Sequence, residues 1–152
     1  MPESSVNDVV LVDDHILLSL LLGEEPRELR PRGGIIATTG LWYHRLCRAL
    51  AAQDVVGSMS RRLGGVSPEI AVDVIATVIE LPESIELMSL RTLGWPMGEI
   101  VRDGARLNLL SLEALAAARV LGAEICCAQG NDNEPLQDAA RTHAIPIRSV
   151  HL

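Results

Sequence analysis

The stretch VVLVDDHILLSLLLG, residues 9–23, runs four apolar residues into two adjacent carboxylates, Asp13 and Asp14, and then turns apolar again at once. Val9 to Val12 reads as a short strand buried on both faces. Asp13 or Asp14 supplies the side-chain oxygen that caps a helix, and Gly23 ends that helix. A carboxylate at the C-terminal end of a buried parallel strand stands where α/β proteins build their sites. The reading of this junction therefore decides both the fold and the chemistry.

Outward from it, EEPRELRPRGG (24–34) is charged and broken by Pro and Gly, which predicts a surface loop, and GIIATT predicts a brief extended piece. GLWYHRLCRALAAQ (40–53) has helical spacing with Leu41, Leu46 and Leu50 along one side. SMSRRLGG is a turn region, after which Ser67 caps a helix with Pro68 at its first position and Ile70, Val74 and Val78 as its inner stripe. SIELMSL (84–90) is a strand or an extended link. WPMGEIVRDGARLN is a helix, and SLEALAAARVLG (111–122) is a stronger one, capped by Ser111 and stopped by Gly122. AEICCA predicts a buried strand. NEPLQDAARTHA is a helix capped by Asn131, Asp132 or Asn133, and IPIRSV is a last strand. Strands alternating with helices predict an α/β fold with a mostly parallel sheet. Residues 1–7 read as a loose tail before a single domain over 8–152.

With 152 residues, 48% of them apolar, the chain can bury one substantial core, and with aromatics at 2% that core is built from Leu, Ile, Val and Ala. All 13 basic residues are Arg, which excludes any mechanism that needs a lysine. The net charge of −7 disfavours a nucleic-acid grip over the whole surface, although a local Arg patch facing a metal site stays open. Cys126 and Cys127 are adjacent and Cys47 is distant, which is neither a disulfide framework nor a zinc spacing. Reduced thiols, a polar acidic start and a longest apolar stretch of only Ile16 to Leu22 together predict a cytoplasmic protein with no membrane segment.

Two families open in a similar way. VVLVDDH resembles the start of response-regulator receivers, whose acidic pair binds magnesium. That family also needs a phosphate-accepting Asp at a strand end and a later lysine. Asp54 lies at a fitting distance but precedes VVGSMS, and the chain has no lysine. The closer resemblance is to the PIN-domain nucleases, the fold of the VapC-type toxins. LVDDHILLSLL matches their opening, with Asp13 at the catalytic position. SLEALAAARVLGAEICCAQGNDNEPLQDAARTHAIPIRSV follows their closing series of Ala-rich helix, strand, polar turn, helix and strand. The resemblance covers residues 8–23 and 107–150.

It implies a three-layer α/β/α sandwich and a magnesium- or manganese-dependent endoribonuclease. Asp13, Glu113 and Asp132 would be its catalytic carboxylates, and Asp14 would stand with them as a metal ligand. It also implies single-stranded or structured RNA as substrate, an antitoxin protein as partner, and a homodimer. The chain departs from the family in having Glu113 where Asp is usual, Tyr43 or His44 where a helix Glu is usual, and GNDN where a Thr or Ser precedes the Asp. These departures favour a second expectation, a PIN-like binding or interaction protein that has lost catalysis.

Hard oxygen ligands suit magnesium, and carboxylates from distant segments meeting at one sheet edge would repel one another until a cation relieved them. That ion could activate water against a phosphodiester. Each residue also has a structural role open to it. Asp13 and Asp14 suit a helix cap, Asp132 suits a turn, and Glu113 near a helix start is favoured by the helix dipole. Trp42 and Tyr43 read as packing, and His44 with Cys47 lacks further ligands for a softer metal. Arg27, Arg30 and Arg32 alternate with Glu24, Glu25 and Glu28, which reads as a solvated loop rather than a phosphate grip.

Overall fold

A computed structural model describes residues 8–52, 62, 64–131 and 133–152. Among the described residues five strands form one sheet: β1 (Val9–Val12), β2 (Ile35–Thr39), β3 (Ile85–Met88), β4 (Glu124–Ala128) and β5 (Ile147–Val150). Six helices flank it among the described residues: α1 (Asp14–Leu21), α2 (Gly40–Ala51), α3 (Pro68–Ile79), α4 (Leu90–Arg102), α5 (Leu109–Leu121) and α6 (Glu134–Thr142). The strand order is β3-β2-β1-β4-β5 and every pairing is parallel. The architecture is the expected α/β/α sandwich, with a sheet that is wholly rather than mostly parallel.

Period-two alternation distributes the core. Val10, Val12, Ile36, Cys126 and Ala128 face one layer with residues of α1, α2 and α3, whereas Leu11, Ala37, Ile125 and Cys127 face the other with residues of α4, α5 and α6. Both faces of β1 and β4 are therefore buried, which is why these strands read as continuous apolar runs. Cys126 and Cys127 point to opposite layers, and none of the three cysteines forms a disulfide. Burial pushes the Cys126 thiol up to about 12, so it stays protonated as a small apolar side chain. No helix among the described residues is long and apolar enough to cross a membrane.

Several boundaries differ from the sequence reading. The Ala-rich helix starts at Leu109 with Asn108 as its cap, accepting from the Ser111 N–H at 2.8 Å. Ser111 lies inside that helix, and its hydroxyl accepts from Asn133 Nδ2 instead. Asn133 is the cap of α6, and WPMGEIVR belongs to a helix that already begins at Leu90. In α3 only Val74 and Val78 are buried; Ile70, expected in the inner stripe, is 45% exposed. In α2 the buried side is Trp42, Leu46 and Leu50, with Trp42 in place of the expected Leu41. The 24–34 loop is a surface loop apart from Leu29, which is buried, and Arg148 of β5 fastens it by donating to the Glu28 and Leu29 carbonyls. The tail 1–7, Asp54 and most of the SMSRRLGG turn lie outside the described residues.

Gly34 joins this loop to β2 at a φ of +122°, and a Cβ built there would lie 2.6 Å from the Asp8 carbonyl oxygen. The same carbonyl accepts from the Ile35 N–H, which starts the β1–β2 ladder. Gly34→Ala is expected to cost about 1–2 kcal/mol, because the backbone itself must move and the new residue sits in a strained conformation. Urea unfolding followed by circular dichroism checks this; an unchanged midpoint would show that the tight approach to Asp8 relaxes freely.

Candidate functional site at the switch point of the sheet

The chain moves outward from β1 through β2 to β3, then crosses back to place β4 on the other side of β1. The crevice between the C-terminal ends of β1 and β4 is thus the topological switch point, where doubly wound sheets bind ligands. Asp13 sits there. Its backbone N–H donates to the Cys126 carbonyl at 3.2 Å, continuing the β1–β4 ladder by one step.

The Asp13 side chain is completely buried and closes the crevice. Oδ1 caps α1 by accepting from the Ile16 N–H at 2.9 Å. Oδ2 accepts from the Ala128 N–H at 2.9 Å and from Asn131 Nδ2 at 2.9 Å. A carboxylate offers about four lone-pair directions. Protein donors fill three of them here, so Asp13 ties the end of β1, the start of α1 and the turn after β4 into one knot.

Asp14 is equally buried but differently placed. Oδ1 accepts from the His15 N–H at 3.0 Å and lies 3.5 Å from Asn131 Nδ2. Oδ2 lies 3.2 Å from Arg45 Nε, close enough for an ion pair but not aligned as a hydrogen bond. Burial pushes the Asp14 carboxyl above its ordinary value, Arg45 opposes that rise, and the neighbouring Asp13 charge adds to it. Arg45 is 37% exposed, so its guanidinium bridges the buried carboxylate and solvent.

Glu113, 1% exposed, does not sit in the first turn of its own helix; it is the fifth residue of α5. Its side chain reaches across to the start of α2, where Oε1 accepts from the Leu41 N–H at 2.8 Å. Thr39 Oγ1 accepts from the next N–H, that of Trp42, at 3.2 Å. Two of the N–H groups that a helix leaves without intrahelical partners are thereby satisfied, and the positive end of α2 faces a buried anion. Glu113 Oε2 has no donor. The helix dipole does favour Glu113, but it is the dipole of α2 rather than that of α5.

The structure thus brings Asp13 and Asp14 together with Asn131 and Arg45, and sets Glu113 at the beginning of α2. Arg45 follows Leu41 by four residues, about 6 Å of helix rise. Asp132, the remaining candidate carboxylate, lies outside the described residues. Among the described residues no three His, Cys, Asp or Glu side chains gather in metal-binding reach. Arg45 and Asn131 also line a cleft of about 250 Å³, together with Trp42, Asn108, Asn133 and Glu134, among others. Its polar wall is mainly amide, with one cation and one anion.

Sequence reasoning missed Arg45 and assigned Asn131 no role beyond capping. A signal existed for Arg45: it stands beside the buried Trp42–Leu46 side of α2 and so cannot be wholly solvated. For Asn131 the signal was its place in the turn directly after a buried strand at the switch point. No protein-family model matches the chain, and no curated protein matches it either.

Proposed function

We propose that this chain is a PIN-like binding or interaction protein whose buried carboxylates are engaged by the protein's own donors rather than in catalysis. One observation carries the reading: Asp13, Asp14 and Glu113, the described carboxylates of the site, each already have a positive partner within the protein. Asp13 has the α1 N-terminus, the Ala128 N–H and the Asn131 amide; Asp14 has Arg45; Glu113 has the α2 N-terminus. Magnesium needs several oxygens converging on one point at about 2.1 Å. Among the described residues the carboxylates turn mainly to different donors, with the Asn131 amide alone shared between Asp13 and Asp14, and this does not fit a shared ion.

A specific feature favours the second reading, a magnesium- or manganese-dependent ribonuclease. Asp14 Oδ2 and Glu113 Oε2 are buried carboxylate oxygens with no hydrogen-bond donor, and such atoms are costly unless something satisfies them. Titration with manganese chloride, followed by thermal unfolding and by cleavage of a single-stranded RNA, separates the two. We expect a melting temperature that does not move and RNA that stays intact. Stabilisation of about 2.7 kcal/mol at a hundredfold excess over Kd, abolished by Asp14→Asn and by Glu113→Gln and accompanied by cleavage, would overturn the proposal in favour of the nuclease.

A further inference from the structure

We infer that the open edge of β3 is a docking surface for a basic, partly apolar polypeptide segment that adds to the sheet as a strand. β3 ends the sheet, and no strand pairs with its outer side among the described residues. Eight of the twelve large apolar side chains exposed among the described residues fall between Ile70 and Val101, on α3, β3 and α4. The most open of them are Trp95 at 78%, Ile79 at 72% and Val72 at 64%. Helix α3 is apolar on both sides: Val74 and Val78 face the core while Val72 and Ile79 face outward. Exposed apolar side chains gathered in this way mark surfaces that other molecules cover, and an unblocked edge strand is a template for another chain.

Charge selects the occupant. From Leu63 to Leu90 the sequence has no basic residue and five acidic ones, Glu69, Asp73, Glu80, Glu83 and Glu86. None of the five forms an ion pair among the described residues. A second copy of this chain paired along β3 would set Glu83 and Glu86 against the same residues of its partner, which disfavours self-pairing, whereas Arg or Lys side chains on a partner would neutralise them.

The pattern of β3 also specifies the pattern of the added strand. Successive residues of a strand face opposite sides of the sheet. Leu87 is therefore on the side of Ile85, which packs against the α1–α3 layer, while Glu86 is on the side of Met88, which packs in the α4–α6 layer. A strand laid beside β3 matches this by alternating apolar and basic residues, with the apolar ones beside Leu87 and the basic ones beside Glu86. Trp95, 78% exposed, stands on α4, the helix that follows β3 directly, and its open ring is a favourable partner for a basic side chain. The inference names the partner class of the interaction protein proposed above and rests on that reading for its meaning. Manganese-dependent cleavage would sink that reading and leave peptide binding at β3 untouched.

The test uses the full chain and three end-capped heptapeptides: alternating Val and Arg, alternating Val and Glu, and Val and Arg in two blocks. Trp42 is buried at 2% exposure, so a change in tryptophan emission on binding reports Trp95. We expect a saturable blue shift with the alternating Val–Arg peptide alone. A Glu83→Lys/Glu86→Lys variant should bind at least tenfold more weakly, and Leu87→Lys should reduce binding while leaving the circular dichroism spectrum unchanged. Absence of any shift with the alternating Val–Arg peptide overturns the inference, as does an equal shift with either control peptide. Sedimentation showing that the chain pairs with itself and shields Trp95 would assign the surface to a second copy and overturn it too.

Discussion

Asp13→Ala is expected to lower the midpoint of thermal unfolding by about 10 °C, the largest loss of any single truncation at the switch point. The estimate combines about 1 kcal/mol for the lost cap on α1 with about 1–3 kcal/mol for the Ala128 N–H, which stays buried with no acceptor. The Asn131 amide also loses its partner, but it is only half-buried and can turn to water, so it adds less. The sum is about 2–4 kcal/mol, and a domain of this size loses roughly 2–4 °C per kcal/mol. Asp13→Asn should cost less, because one amide oxygen still accepts while the new amide nitrogen faces an N–H donor. Calorimetry of both variants against the parent checks the order. If Asp13→Ala melted within 2 °C of the parent, the carboxylate would not be the knot described here, and a ligand-binding role for it would gain weight.

Arg45→Ala is expected to cost about 3 kcal/mol at neutral pH. Removing one partner of a buried ion pair strands the other, and the figure stands at the low end of the usual range because Arg45 is partly solvated. The cost should shrink on acidification. Burial raises the folded-state value of Asp14 above its ordinary 3.8. A raised carboxyl contributes stability that is fully present below 3.8 and is lost as pH rises through the folded-state value. Ionised Asp14 is therefore a burden at neutral pH, relieved in part by Arg45. Asp14→Asn should stabilise the protein above that window by about 1 kcal/mol, by analogy with other neutralised buried charges, and should change little below it. The Arg45→Ala/Asp14→Asn double variant should recover most of the loss, a coupling that urea titrations at several pH values would measure. Additive effects would mean that the two side chains do not share their energetics.

The layout of the fold was legible wherever one short segment held the whole message. VVLV followed by Asp gave strand and cap together, because an apolar run, a side-chain acceptor and a second apolar run leave few alternatives. Ser67–Pro68 marked the start of α3 for the same local reason. The start of α5 was misread because Asn108 and Ser111 both suit a cap, and local chemistry does not rank them. That error carried Glu113 into the first turn of its own helix. Its contact with the Leu41 N–H spans 72 residues and depends on how α5 packs beside α2. The Asp14–Arg45 pair depends likewise on the contact between α1 and α2. Residue types and spacing predicted that carboxylates would collect at the C-terminal edge. They could not predict that each would meet a donor of its own, because donors are set by packing rather than by sequence neighbours.

The central place of β1 has a consequence for how the chain is made. Asp13 and the Ala128 N–H that it accepts are 115 residues apart, so one flank of β1 stays unpaired until that length of chain has been made. At 5–20 residues per second, the ribosome leaves that flank open for roughly 6–20 s. During this interval VVLV is an apolar nascent edge with no neighbour on its β4 side. Fragments ending before residue 124 should therefore aggregate, and the late arrival of β4, rather than the quick formation of local helices, should limit the rate at which newly made protein becomes native.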